Sequence, residues 1–513
     1  MLVAAAVYVP SLASGFAYDS RMQVVTDPFL HDSGNWFDVV TWRVLGRDVL
    51  DNNRPVQLAS LMLDAAVWGR EPIGFHLTNL VLHAVNALLV CLVVDRLLAQ
   101  PAAPTGIVGS TPADPWRMLL AGGAGMLFAV HPLMVEAVAE PSFREDLLAT
   151  LFTLTAIRLA GSLPAASPGD RPAWARAGAV VVAALLAVGS KESGIAAPAL
   201  VALWWWLFER RWRGDWILAI GGSSAVAGAF LAARFLLAPE SEIFSSPPAR
   251  LAGSLVETLS IQTRILALYG RLTLLPWPLS AEYGPWSLRS LPLALAGPLV
   301  AAALAAGSFW GWRDRRAAFG VALVVVSLLP VCNIIPIYKP LADRYMYLPM
   351  AGVAALAATA AEWALGRQTT TNRRWALGAA LALLAILAAG SVWRQQVWRS
   401  SLALWESTAR LNPQSALAAL GLAEALLESG RAAESRGAAL ASIRLSGEGW
   451  ADPWVALTLA YDRLGEEGLA QQALGRALAL DERLADPERC VARLAMHRHQ
   501  ASALSALLAR RRN

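Results

Sequence analysis

Leu119-Leu-Ala-Gly-Gly-Ala-Gly-Met-Leu-Phe-Ala-Val130 runs into His131-Pro132-Leu133-Met134-Val135-Glu136, and Arg144-Glu145-Asp146 then opens the next apolar run. An uncharged apolar segment edged by ionisable groups reads as a membrane helix meeting a polar face. The same arrangement recurs. Lys191-Glu192 divides two apolar runs, and Asp343-Arg344-Tyr345 follows another. An ionisable group at membrane depth costs about 2.5–3.5 kcal/mol on insertion scales, so it marks a substrate path, a reacting group or a buried ion pair that locks helix packing. A single pair suits packing as well as it suits a site. Four groups on one side of the membrane suit a site.

Composition fits a membrane protein. Hydrophobic residues make up 56% of the chain, charged residues only 16%, and mean hydropathy is +0.46. The net charge of +5 falls mostly in short arginine-rich loops, the pattern of cytoplasmic connections and not of a nucleic-acid surface. Many of the 21 tryptophans stand near segment ends, where amphipathic rings favour the interface. Cys91, Cys332 and Cys490 are odd in number and far apart, which gives neither a disulfide framework nor zinc spacing. The richness in Ala, Leu and Arg hints at a bacterial source. The first apolar run has no basic segment before it and reads as an anchor, or as a start placed too late, and not as a cleaved signal.

A spanning helix needs about 20 apolar residues. Eleven candidate spans lie near 1–17, 73–98, 117–138, 146–162, 175–190, 193–209, 216–237, 291–311, 317–334, 348–366 and 375–393. Counting them puts Arg210-Arg211-Trp-Arg213, Arg313 to Arg316, Arg367 with Arg373-Arg374, and Arg171 with Arg176 on one side, expected to be cytoplasmic. The opposite face receives residues 18–72, 131–145, the Lys191 turn, 238–290, 331–347 and everything after Trp393. The 18–72 loop carries Trp36-Phe37, Trp42 and Val44-Leu45 among charges, which predicts short amphipathic helices on the membrane surface. The apolar stretch 251–275 predicts another interfacial helix. From about residue 395 helical periodicity continues with Glu, Gln and Arg restored. Gly430 and Gly465 align at a 35-residue period, and Trp454, Tyr461, Gly465, Ala470 and Ala477 fill the large, large, turn, small, small positions of a tetratricopeptide repeat. The fold expected is all-α: a polytopic domain of about 11 spans over 1–394, with its large first loop 18–72, and a helical-repeat domain over 395–513.

The chemistry-bearing residues sit at the outer edges. Asp19 directly follows the first span; a carboxylate held there suits a general base, while the bland alternative is an N-cap. His76, Asn79, His83 and Asn86 form a stripe along the second span that faces other helices or a polar cavity. His76 and His83 are two turns apart with no third ligand at a matching spacing, so no metal is expected. Arg144, Lys191, Lys339 and Arg344 are fixed cations that suit a phosphate or pyrophosphate head group. No Walker motif is present, which disfavours an ATP-driven pump.

Several stretches resemble a known family. Phe16-Ala-Tyr-Asp-Ser-Arg-Met-Gln-Val-Val-Thr-Asp-Pro28, Arg54-Pro55, Trp68-Gly-Arg-Glu-Pro-Ile-Gly-Phe-His76-Leu-Thr-Asn79-Leu-Val-Leu-His83, Leu127-Phe-Ala-Val-His131-Pro-Leu-Met-Val-Glu136, Lys191-Glu192-Ser-Gly-Ile195 and Arg344-Tyr345-Met-Tyr-Leu-Pro349 occur in order. The set resembles the transmembrane and tetratricopeptide-repeat-containing O-mannosyltransferases, of the GT-C glycosyltransferases, over nearly the whole chain. The resemblance implies a lipid-linked sugar on a polyprenyl phosphate as donor substrate, no further cofactor, and a site facing the lumen or periplasm, here that of a bacterial inner membrane. It implies a protein Ser/Thr or glycan hydroxyl as acceptor, which the repeats could hold. The family's acidic pair in the first loop falls on Asp19 and Ser20, so one carboxylate is missing, and Asp27 stands where the family has Asn. Asp19, with Asp27 as its partner, is the expected base. Arg344, Lys191 and Arg144 are expected on the donor phosphate, with His131, Glu136, Glu192, His76, Asn79, His83, Asp343 and Tyr345 shaping the site. The alternatives are an inactive scaffold and a lipid-linked-glycan transporter with a docking domain.

Overall fold

The computed structural model describes residues 1–51, 53–102, 115–163, 173–237, 253–284, 292–365, 368–486 and 498–512, and every regular element among them is helical. Arg171, Arg367, Cys490 and parts of the loop expected over 238–290 lie outside the described residues. The helices used below are α1 (Leu2–Tyr8), α2 (Trp36–Val40), α3 (Pro55–Trp68), α4 (Pro72–Leu98), α5 (Pro115–Val130), α6 (Val135–Ala139), α7 (Arg144–Ala160), α8 (Trp174–Ser190), α9 (Ala196–Trp204), α10 (Gly214–Ile217), α11 (Ser223–Leu237), α12 (Leu255–Leu274), α13 (Leu293–Arg313), α14 (Arg315–Leu328), α15 (Pro349–Leu365) and α16 (Thr370–Gln395).

Each expected span carries a helix. By length and apolarity four described segments can cross a membrane: Pro72–Leu98, Gly214–Leu237, Leu295–Arg313 and Thr371–Trp398. A bent pair, Pro115–Val130 with Pro132–Ala139, makes a fifth, and shorter apolar helices include Leu2–Ala13, Trp174–Ser190 and Pro349–Leu365. The third expected span ends earlier than its apolar run. Pro132 has no amide hydrogen to continue α5, and the His131 side chain accepts a hydrogen bond from Leu133 N instead. The chain turns by 54° there. The wholly buried α6 therefore lies across the bundle end and does not extend α5. The break before α9 has a similar effect: Lys191 is extended, a single 3-10 turn (Glu192–Ile195) follows, and α8 and α9 on either side of it both pack against α7.

One core unites α1, α4–α9, α12 and α14–α16, centred on Phe128, Val135, Leu147, Trp204 and Tyr347. The first-loop helices α2 and α3 close over a second cluster of Val24, Val39, Val44, Leu58, Leu61 and Phe75. Phe37, Val40, Leu63 and Val67 remain exposed on their outer faces, as an interfacial position requires.

Beyond α16 come α17 (Ser401–Leu411), α18 (Ala416–Glu428), α19 (Ala432–Leu445), α20 (Ala451–Arg463), α21 (Glu467–Leu480) and α22 (Arg498–Arg512). α18–α19 and α20–α21 are stacked hairpins. Gly430 and Gly465 follow the first helix of each at φ +79° and +76°, a conformation that costs a side chain energy and glycine none. Leu457, Ala456, Ala439 and Ala473 pack between the hairpins.

Candidate functional site

The outer-face segments meet at one place. α1 ends through a 3-10 turn (Val9–Ala13), and the chain passes Tyr18 at φ +51°, a left-handed conformation that is costly for an aromatic residue. The surroundings fix it there. Tyr18 packs edge-on against Phe143 (5.8 Å between ring centroids) and Trp398 (6.2 Å), lies tilted on Trp405 (5.6 Å), and its hydroxyl bonds Lys339 Nζ at 2.9 Å. Asp19 follows. Its side chain is exposed, and it makes no hydrogen bond or ion pair with any described residue. The surrounding protein pushes its pKa up to about 6, against the pull of the nearby Arg344 and Lys339 charges.

Around this free carboxylate the cations are ordered by buried acids. Arg344 Nη1 pairs with Glu136 Oε1 at 2.5 Å, and Glu136 Oε2 accepts from Asp343 N at 3.0 Å. The guanidinium lies 3.8 Å from the centroid of the Phe143 ring. Arg344 Nε is 3.9 Å from Asp146, and its Nη2 has no hydrogen bond to any described residue. Asp146 in turn holds Lys191 Nζ at 2.6 Å, with Glu145 at 3.5 Å. Lys191 lies 5.4 Å from the Tyr345 ring centroid, and the Tyr345 hydroxyl donates to Lys339 O at 2.9 Å. Burial works against the Lys339 ammonium, yet Tyr18, Glu282 and Glu136 outweigh it and hold the group protonated. Asp343 accepts from Tyr283 at 2.5 Å and faces Arg394 at 3.8 Å. On the far side, Arg54 gathers Asp51 (2.9 Å), Glu192 (3.4 Å) and Glu145 (3.5 Å), and Arg234 binds Glu192 at 2.9 Å. Arg54 and Arg234 outweigh the burial of Glu192 and pull its pKa down to about 2. A narrow crevice beside this web is lined by Asp146, Thr150, Ser193, Tyr345, Leu348 and Pro349.

The structure thus brings Arg344, Lys191, Glu136, Asp343, Tyr345 and Glu192 into one network, with Asp19 in the field of Arg344. Other residues expected at the site are engaged differently. Arg144, expected on a phosphate, is fully buried with every nitrogen occupied: Nη2 meets Asp64 at 2.6 Å and Phe75 O at 3.0 Å, Nε meets Asn79 at 2.8 Å, and Nη1 meets Ser60 at 3.1 Å. It braces α3 against α4 and α7 and has nothing left to offer a ligand. Asn79 is spent on Arg144 and on the carbonyls of Val138 and Glu140, and His83 on Tyr347 and Ala129 O. His76 is fully buried in α4. Asn79 and His83 thus tie helices together. His131 contacts the Thr273 carbonyl at 3.0 Å. Asp27 accepts from Phe29 N at 2.9 Å and feels Asp51, not the cations around Asp19; burial brings its pKa to about 6.

One carboxyl was missed. Glu140, fully buried, accepts from Ser20 N at 2.7 Å and from Ser142 Oγ at 2.8 Å, and its second oxygen has no hydrogen-bond partner among the described residues. Burial pushes its pKa up to about 8, with Asp19 adding to the rise. A second acid therefore stands against the Asp19-Ser20 segment, supplied by another loop. The signal was Glu140-Pro141, an acid closing an apolar run one helical turn after Glu136. Lys339, Asp51 and Arg54 also join the network; Asp51 carries no motif, and Arg54 stands out only in the Arg54-Pro55 pair.

The comparisons agree with the motifs. Protein O-mannosyl-transferase F38B6.6 of Caenorhabditis elegans is 23% identical over 82% of this chain and 59% of its own length. Mouse protein O-mannosyl-transferase TMTC4 is 26% identical over 71% of this chain and 54% of its own. The chain is a homologue of proteins named protein O-mannosyl-transferases. Drosophila melanogaster Tmtc2, under the same name, is 30% identical over 38% of this chain and 20% of its own length. The chain thus spans only 59%, 54% and 20% of these relatives. No family model and no solved structure matches it.

Proposed function

We propose that this chain is an integral-membrane glycosyltransferase that moves a sugar from a polyprenyl-phosphate donor to a hydroxyl of a protein, with Asp19 as the general base. The observation that carries the reading is the Asp19 carboxylate, which no described residue pairs, in the field of Arg344 and Lys339 and directly after a strained, aromatic-packed Tyr18. In this reading Asp19 takes the proton of the acceptor hydroxyl as its oxygen attacks the anomeric carbon. The bond from that carbon to the phosphate oxygen breaks, and polyprenyl phosphate leaves with the electron pair. The free Nη2 of Arg344 and the Lys191 ammonium meet the developing charge, and charge-assisted hydrogen bonds of this kind are the strong ones. The site and the tetratricopeptide-like hairpins face the periplasm of a bacterial inner membrane, where the hairpins hold the acceptor.

The test is transfer from polyprenyl-phosphate mannose and related lipid-linked sugars to a Ser/Thr peptide. Loss of a general base typically lowers a rate 10²–10⁴-fold, so Asp19→Asn should reduce transfer by that much and Asp27→Asn far less. The opposite ranking relocates the base. Absence of transfer by the wild-type protein over the whole donor panel favours the scaffold.

A further inference from the structure

The segment that carries Asp19 is gripped on both sides by the C-terminal helices. On one side Tyr18 lies on Trp405 of α17, and Trp405 can lie there because α18 has no side chain at Gly421: a Cβ at that position would stand 2.3 Å from the indole. On the other side Arg21, two residues past Asp19, forms an ion pair with Glu428 at the end of α18, both side chains largely buried. Glu424, one turn earlier on α18, also lies within the field of Arg21. Neighbouring contacts include Gly15 N to Arg399 O at 3.1 Å, Asn412 Nδ2 to Ser280 Oγ at 2.8 Å, and Gly284 N to Asn412 Oδ1 at 3.3 Å. The ion pair and the Tyr18–Trp405 contact thus bracket Asp19, whose carboxylate no described residue pairs.

We propose that Arg21 and Glu428 are positioning residues: their pair, with the Trp405 contact, makes the helical-repeat domain a structural part of the transfer site by fixing the backbone of Asp19. The inference rests on the function proposed above for its consequence in catalysis, but not for the tie itself. A strained left-handed Tyr18 relaxes when its restraints are removed, and Asp19 moves with it. A displacement of about 1 Å in a reacting group can cost about 10²-fold in rate.

The experiment uses the full-length protein in detergent micelles and measures amide hydrogen exchange of residues 19–24 alongside transfer kinetics. Arg21→Ala and Glu428→Gln should each raise exchange in that segment about tenfold, the scale of losing one hydrogen bond to a charged group. They should lower kcat by about 10–100-fold while the donor KM stays within about twofold, because Arg344 and Lys191 are untouched. The swapped pair Arg21→Glu with Glu428→Arg should restore both readouts, and Gly421→Ala, acting through Trp405, should reproduce the loosening with both charges in place. Unchanged exchange in Arg21→Ala overturns the inference, as does raised exchange with unchanged kcat. Failure of the wild-type protein to transfer any sugar overturns the functional reading instead, and the exchange result then decides whether the tie exists.

Discussion

Removing Arg344 should have two consequences that a second substitution separates. Glu136 is only 1% exposed; one of its oxygens is held by Arg344 at 2.5 Å and the other by a single amide, Asp343 N. Arg344→Ala therefore leaves a buried carboxylate with one hydrogen bond, and breaking a buried pair from one side costs about 3–5 kcal/mol. The same substitution removes the free Nη2 proposed to meet the lipid phosphate. A hydrogen bond to a charged group is worth about 1.5–3 kcal/mol, a loss of roughly 10–150-fold in affinity. Neutralising the stranded acid, in Arg344→Ala with Glu136→Gln, should recover most of the stability, since replacing both partners of a buried pair costs little. It should recover none of the affinity. The assay is thermal unfolding in micelles together with titration of polyprenyl phosphate, the leaving group itself. If the double variant regains stability and full affinity, Arg344 merely neutralises Glu136 and the phosphate binds elsewhere.

Three further outcomes follow from the same geometry. Arg144→Met, which strands Asp64 and unties Asn79, should lose about 3–5 kcal/mol of stability while the folded fraction keeps wild-type affinity for polyprenyl phosphate, read by unfolding and titration. Transfer should rise with pH through about 6 as Asp19 loses its proton, and a rate profile that is flat from pH 5 to 8 removes Asp19 as the base. The folded protein holds the Glu140 proton up to about pH 8, against 4.5 for the unfolded chain, so the native state binds more protons between those values. That contribution is whole below about 4.5 and fades as pH rises through 8, with a slope of at most about 1.4 kcal/mol per pH unit; Glu140→Gln should flatten this part of the stability profile.

The helices were legible because their signal is local. The apolar runs, the arginine loops and the 35-residue glycine spacing each sit within a window that one element spans, and the structure puts a helix on every run. The break at His131-Pro132 could be anticipated from the proline, but its effect could not, because turning α6 across the bundle depends on what fills the space beneath it. The cations show the sharper division. Arg144, Lys191 and Arg344 are alike in sequence: each is a fixed positive charge at the outer edge of an apolar run. They differ in how many nitrogens their neighbours leave free, and those neighbours come from α3, α4, α6 and α7, remote in the chain. Ser20 makes the same point from the acidic side. In the first loop it reads as the loss of one carboxylate of a pair. In the folded chain its amide bonds the carboxyl of Glu140, 120 positions away, so the Asp19 segment has an acid beside it after all. A single chain can show that a residue type is missing from a motif, but not that another loop has brought the same chemistry back.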